Sequence, residues 1–391
     1  MQINLSELKV IPCLMMMVVA MQASLNFNAI GMQMASYGMM ALMLMGALVA
    51  FFLIMRQRTI TRTDLVYLVF MVLVATSSLA HGTDIVHWIY MCCSILFVRF
   101  FFNFYRNNLS PLIIGLVIAL FIGMLLQLHQ LITHPELWIN PDEKEPTGYI
   151  FGGNYNQFGC FTLLATVLCL ICVKKSKWFY LLLIPCIALS VALPFIVGSM
   201  TSAASITLFL LTCAVPSHRL RQIGIVTLLI AVILFQIFVC FNGKGIENND
   251  LMVWFVEDVL EKDITFTHRT QMWDSSLRLT SESPVWGHGY PDKTWYLVRL
   301  SSLAVGSHNM MLAVLLYGGI IALGIYLYLL TKSCLQVARI GDYWADCILS
   351  AIAILCMMML MEVYTISIVF MFFLIAEYYP TLHEQITASN E

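Results

Sequence analysis

Residues 223–241, IGIVTLLIAVILFQIFVCF, carry no charge and run to the length that a helix needs to cross the hydrocarbon core of a bilayer, about 20 residues. Arg219 and Arg221 stand just before this run, and the polar stretch Asn242 to Gly306 just after it. A soluble domain can hide one such helix, but this chain repeats the pattern from end to end. Upstream, similar runs span Leu8 to Ala23, Gly31 to Met55, Leu65 to Ala80, Ile85 to Tyr105, Leu109 to Leu131, Asn156 to Val173, Trp178 to Pro194 and Gly198 to Pro216. Downstream lie Asn309 to Leu330, Ala345 to Met361 and Val363 to Tyr379. The reading is an all-α polytopic membrane protein of about twelve transmembrane helices.

The short connections support that count. Basic residues gather in alternate ones: Arg56, Arg58 and Arg62, then Arg106, then Lys174, Lys175 and Lys177, then Arg219 and Arg221, then Lys332 and Arg339. Lysine and arginine in short loops mark the cytoplasmic side. Both termini are therefore expected inside, and the two longest polar loops, Thr133 to Gly153 and Asn242 to Gly306, outside. The chain divides into residues 1–241 with nine helices, an extracytoplasmic loop over 242–306, and residues 307–391 with three helices and a tail.

Composition narrows the function. Of 391 residues 60% are hydrophobic and 11% charged, against about 25% charged in soluble domains. The net charge of −2 leaves no basic face for nucleic acid, so an anionic partner has to be gripped by few residues. The uncharged run Val10 to Ala20 follows Lys9 without a small-residue cleavage site and is read as a retained helix. The twelve cysteines lie in or beside apolar runs, which argues against a disulfide framework, and Cys169 with Cys172 is given no metal or redox role. Arg99, near the inner end of the fourth helix, is expected to snorkel to water.

Within the long loop, Leu251, Met252, Phe255, Val256, Val259 and Leu260 recur at helical spacing with Glu257, Asp258, Glu261 and Lys262 between them, as in a helix lying on the membrane surface. A second short helix is expected over Thr270 to Leu279, ending before Pro284. Asp142 to Glu145 reads as an exposed loop tip.

The chemistry-bearing residues cluster downstream: His268, Arg269 and Trp273; Pro284, Trp286, Gly287, His288 and Gly289; His308 and Asn309; Gly318, Gly319 and Ile320. Arginine suits a phosphate or diphosphate because its planar fork makes paired charge-assisted hydrogen bonds. A neutral histidine can take a proton from a hydroxyl near neutral pH. Glycines let backbone approach a ligand.

This series resembles the bacterial O-antigen ligase and O-antigen or capsule polymerase superfamily of membrane glycosyltransferases. The likeness rests on Arg269-x-x-x-Trp273, Pro284-x-x-Gly287-x-Gly289, His308-Asn309 and Gly318-Gly319-Ile320, in that order and after the ninth helix. An upstream echo is Gly153-Asn154-Tyr155-Asn156 at the mouth of the sixth helix. One departure is at the start of the eighth helix, where the family has a Ser-Arg or Thr-Arg step and this chain reads Gly198-Ser199-Met200. Either Arg299, Lys293, Arg278 or Lys244 stands in for that arginine, or the donor is held differently.

The resemblance implies an inverting glycosyl transfer from an undecaprenyl-diphosphate-linked glycan to an acceptor glycan, with no cofactor and no metal. His308 would deprotonate or orient the acceptor hydroxyl, and Arg269 would stabilise the departing diphosphate. Arg299, Lys293, Arg278, His288, Asn309, Asn154, Asn156 and Glu362 are the candidate substrate-binding residues.

Each has a plainer reading. Arg269 suits a head-group anchor, His308 a packed cap, His288 a turn residue, Asn154 and Asn156 caps of the sixth helix, and Glu362 a solvated turn. Trp273 and Trp286 are expected to pack or to sit at the interface. A polymerase of lipid-linked repeats is the first function, a ligase to lipid A core or protein the alternative, and a transporter or flippase a remote one. The expected setting is the bacterial inner membrane, beside a flippase and a chain-length regulator.

Overall fold

The computed structural model describes residues 10–27, 33–57, 60–135, 148–248, 250–254, 257–258, 268–301 and 306–390. Its helices are α1 (Val10–Ser24), α2 (Gln33–Gln57), α3 (Arg62–His81), α4 (Ile85–Phe104), α5 (Ser110–Thr133), α6 (Phe158–Lys175), α7 (Tyr180–Ile196), α8 (Met200–Ala214), α9 (His218–Phe235), α10 (Asp250–Trp254), α11 (Arg269–Glu282), α12 (Lys293–Arg299), α13 (Met310–Ala338), α14 (Tyr343–Met358) and α15 (Ile366–Asn390). Among the described residues eight spans are long and apolar enough to cross a membrane, and α1, α8, α14 and the middle of α2 add four shorter apolar helices. Each of the twelve apolar runs read from the sequence coincides with one of these. The protein is an all-α polytopic membrane protein.

Burial ranks the helices. The apolar stretch ending α6 is 89% covered and that of α9 only 28%, so α6 is a core helix and α9 faces outward. A helix that is apolar all round can take either place, because lipid and protein interior are alike to it. The polar residues at the ends decide where helices start. Asp84, Asn309 and Asp342 accept from the backbone N–H groups of His87, Leu312 and Ala345 at the first turns of α4, α13 and α14. Thr61 and Asp64 form a reciprocal capping box at α3, whose other end is closed by Gly82 in the left-handed region.

At the end of the bundle where the basic connections gather, three ion clusters stitch helices together. Arg99 of α4 is fully buried. Its guanidinium pairs with Asp64 of α3 and with Glu377 of α15 at 2.7 Å, and lies 4.6 Å over the Tyr67 ring. The expectation that Arg99 snorkels to water is therefore wrong: two carboxylates from other helices reach it inside the protein. Asp346 of α14, also buried, accepts from Arg221 at 2.9 Å and lies 2.7 Å from His218, both of α9. Asp342 takes Lys174 of α6 at 2.5 Å and the Tyr379 hydroxyl of α15 at 3.0 Å.

The described part of the connection before α6 packs onto the far end of the bundle. Phe151 pairs with Leu25 in an isolated bridge, and the backbone N–H groups of Phe151 and Ile150 donate to the side-chain oxygens of Gln127 and Gln130 of α5, each at 2.9 Å. The expected loop tip at Asp142 to Glu145 lies outside the described residues, as does most of the expected surface helix beyond Trp254. The second loop helix, α11, starts one residue earlier and ends three later than expected, at Glu282 before Pro284.

Removing one partner of a buried pair leaves the others charged and unpaired, which costs about 3–5 kcal/mol. Arg99→Ala is expected to destabilise the protein by about that amount, read as a large fall in the thermal unfolding midpoint in detergent. Substitution of the exposed Arg278, whose pair is solvated, is expected to shift it little.

Candidate functional site

Two glycines in α13 interrupt its helical ladder. Gly318 has φ −150° and ψ 24°, Gly319 φ 64° and ψ −160°, and the second combination is open essentially to glycine alone. The break frees the carbonyls of Leu316 and Tyr317. They accept from the backbone N–H groups of His288 at 2.6 Å and Gly289 at 3.1 Å, while the Ile320 N–H returns a bond to Pro284 O at 2.9 Å. A methyl group on Gly319 would lie 2.2 Å from Val285 O, and one on Gly287 would lie 2.6 Å from Leu316 O. The Pro-x-x-Gly-x-Gly and Gly-Gly-Ile segments are thus two halves of one backbone splice.

The same loop grips the turn between α3 and α4 from its other side. Tyr290 N–H donates to Ser78 Oγ at 2.8 Å, Thr83 Oγ1 to His288 O at 3.1 Å, and Asp84 N–H to Tyr290 O at 2.9 Å. His288 is buried, its Nε2 2.8 Å from Leu279 O and its ring 5.3 Å from that of His81. It packs within this clamp and does not face the cavity described below.

Arg269 and Trp273 sit one turn apart on α11, so both face the same neighbours. Buried Trp273 Nε1 donates to His308 O at 3.4 Å, and Arg269 Nη2 lies 3.5 Å from Glu362 Oε2. His308 holds φ 48°, a left-handed conformation rare for a residue with a side chain, and its Nδ1 stands 3.4 Å from the same Glu362 oxygen without making a hydrogen bond. Arg269, His308 and Glu362, far apart in sequence, meet on one carboxylate oxygen.

Asn309 holds the two loops in register. Its amide nitrogen donates to Gln236 Oε1 at 2.8 Å and to Leu360 O at 3.1 Å, while its oxygen caps α13. Gln236 opens the π-helical turn Gln236–Cys240 that continues α9, a distortion that brings this side chain inward. Asn309 is fully buried, with its whole amide engaged.

A cavity of about 640 Å³ opens beside this cluster. Its lining includes His308, Glu362, Lys293 and Asn154 from the expected set, and also Asp84, His87, Gln157, Tyr290, Tyr296 and Tyr317. Asn154 caps the short helical turn before α6, accepting from Asn156 N–H at 2.9 Å, and Gln157 anchors the Glu362 loop by donating to Val363 O at 3.0 Å. Burial, and after it the Asp84 carboxylate, push the Tyr290 phenol up from its usual range; burial does the same to Tyr296. Both phenols stay hydrogen-bond donors at neutral pH.

Arg269, Arg278, Arg299, Asn156 and Lys244 are not among the cavity's lining residues, and Arg269 meets the cavity's edge through Glu362. Arg278 and Arg299 share exposed Glu282 at 3.0 and 3.2 Å, and exposed Lys244 lies in the short turn Gly243–Asn248. Met200, at the position of the family's arginine, is exposed at the start of α8. Among the described residues no three His, Cys, Asp or Glu side chains are grouped so as to hold a metal ion.

Asp84 and His87 escaped the sequence reading. The signal was their spacing of three after Gly82, which joins cap and first turn in a connection free of lysine and arginine.

Residues 186–327 match the family model described as O-antigen ligase, a region that includes Arg269, His308 and the two α13 glycines. The match supports the superfamily indicated by the motif series. No curated protein matches the chain.

Gly319→Ala is expected to cost about 1–3 kcal/mol from backbone conformation alone, with a lower unfolding midpoint and faster proteolytic cutting within 268–301. Gly224→Ala, where a methyl group meets nothing within 4 Å, is expected to leave both unchanged.

Proposed function

We propose that this chain is a polymerase of the O-antigen ligase and polymerase superfamily, joining undecaprenyl-diphosphate-linked oligosaccharide repeats into an O-antigen or capsule chain. The observation that carries the reading is the meeting of Arg269 and His308 on Glu362 at the edge of a polar cavity. The setting is the outer face of a bacterial inner membrane, with both termini cytoplasmic, which the gathering of basic residues in alternate connections supports.

In this reading the acceptor hydroxyl oxygen forms a bond to the anomeric carbon as the bond from that carbon to the diphosphate oxygen breaks. The acceptor proton passes to the imidazole of His308, and Glu362 stabilises the imidazolium that results. The electron pair leaves with the diphosphate, whose growing charge meets Arg269 beside Glu362, with Lys293 as a cation on the cavity wall. Displacement from the far side inverts the anomeric centre. The contact of Arg269 with Glu362 is long and only partly buried, so an arriving diphosphate can outcompete the carboxylate for the guanidinium. Asn309 and Trp273 act as positioning residues, through Glu362's loop and the His308 backbone.

A ligase that transfers finished glycan to lipid A core or to protein is the second reading, favoured by the description of the matched family. The lean to polymerase rests on Met200 in place of the family's arginine and on a compact loop.

The test is His308→Ala and Arg269→Ala in a deletion strain, with membrane levels checked and the surface glycan resolved by gel. For a polymerase, each variant is expected to abolish long chains and leave a single repeat on the lipid A core. Glycan accumulating on undecaprenyl diphosphate with none on its final acceptor would establish the ligase instead. An unchanged ladder with His308→Ala would exclude His308 from the chemistry.

A further inference from the structure

An inverting transfer needs the acceptor sugar on the face of the anomeric carbon away from the diphosphate, so the acceptor requires holding groups of its own. His308 meets only the reacting hydroxyl and Arg269 meets the diphosphate, so neither holds the rest of the acceptor ring. Each lies within 3.5 Å of the same Glu362 oxygen, so both stand at one place, where His308 and Glu362 line the cavity.

The cavity has a second pairing of histidine and carboxylate, carried by different elements. His87 Nδ1 stands 2.5 Å from Asp84 Oδ2, and the other Asp84 oxygen accepts from the His87 N–H at 3.0 Å. Both residues line the cavity together with Tyr290. The turn that bears them is fixed by three hydrogen bonds to the 288–290 loop and so to the splice in α13, whereas a solvated helix start needs no such clamp.

We infer that Asp84 and His87, with Tyr290, form the subsite for the acceptor sugar. The assignment rests on the transferase reading above and deepens it. In neutral His87 the Asp84 carboxylate holds the proton on Nδ1 and leaves Nε2 as an acceptor. Asp84 keeps unused lone pairs, and Tyr290 supplies a hydroxyl donor. Two acceptors and a donor suit neighbouring hydroxyls on a pyranose ring, each of which both donates and accepts. A diphosphate is excluded from this part of the wall, because Asp84 would repel it. The pair orients the acceptor and takes no proton in the displacement.

The experiment uses full-length protein in detergent, with lipid-linked glycan extracted from a deletion strain as donor and the acid-released soluble repeat as competing acceptor. The variants are His87→Gln and Asp84→Asn, the second keeping an oxygen that can cap α4. Both are expected to raise the half-saturating concentration of the soluble repeat about tenfold or more, while binding of undecaprenyl diphosphate alone stays within about twofold of wild type and the unfolding midpoint is unchanged. An unmoved requirement for acceptor in both variants would overturn the subsite, and so would a parallel loss of undecaprenyl diphosphate binding. Wild-type protein that turns over no lipid-linked glycan would sink the transferase reading itself, and the subsite with it.

Discussion

Two consecutive glycines in α13 constrain the whole cavity end of this protein. A backbone carbonyl freed inside an apolar bundle is costly, several kcal/mol when it finds no partner. The carbonyls of Leu316 and Tyr317 find theirs in the N–H groups of His288 and Gly289. That need ties a loop from another part of the chain to the kink at atomic separation, and glycines at positions 287 and 319 are what allow two backbones to come so close. Everything else follows from where this loop lies. It clamps the α3–α4 turn, turns Tyr290 to the cavity and leaves α11, which precedes it, to carry Arg269 and Trp273 against the His308 and Glu362 loops.

Charge is divided between the two ends of the bundle by use. At the basic end Arg99 and Asp64 are fully buried and meet Glu377, which Lys332 also approaches at 3.9 Å, in short contacts, and Arg221 and Asp346 are paired in the same way. Those groups are enclosed and join helices that are otherwise held by van der Waals packing and a few hydrogen bonds such as Trp88 Nε1 to Met71 O at 2.9 Å. At the cavity end Arg269, His308 and Glu362 stand apart at 3.4 and 3.5 Å and keep partial exposure. A loose arrangement is poor at holding helices together and well suited to exchange partners with an anionic substrate. The positive φ of His308 fits the same division: strain at one residue is tolerated because Asn309, Trp273 and Ser307 hold the turn around it.

The helices were legible because bilayer thickness and backbone hydrogen bonding leave little choice. Nineteen uncharged residues such as Ile223 to Phe241 become a helix wherever they lie in the bundle. The break inside α13 was not legible as such, although Gly318 and Gly319 were noticed, since two glycines read equally as ligand approach or as a kink. Their role in the fold depends on a partner loop that the pattern of one helix does not reveal. Arg99 was misread for a related reason. A lone arginine near a helix end snorkels by default, and only the packing of α3 and α15 against α4 brings Asp64 and Glu377 to it.

The site divides along the same line. Arg269 and His308 carry their chemistry in their own side chains, so type and spacing pointed to them directly. Glu362 entered as an ionisable residue at an apolar turn, and its meaning came from the two groups that reach it. Asp84 and His87 are harder still, because on their own they are a helix cap and a first-turn neighbour. What makes them part of the cavity is the bond from Thr83 to His288 across 205 positions of sequence. Local pattern carries no trace of a contact at that distance, and in this fold the backbone splice at the α13 glycines is what creates it.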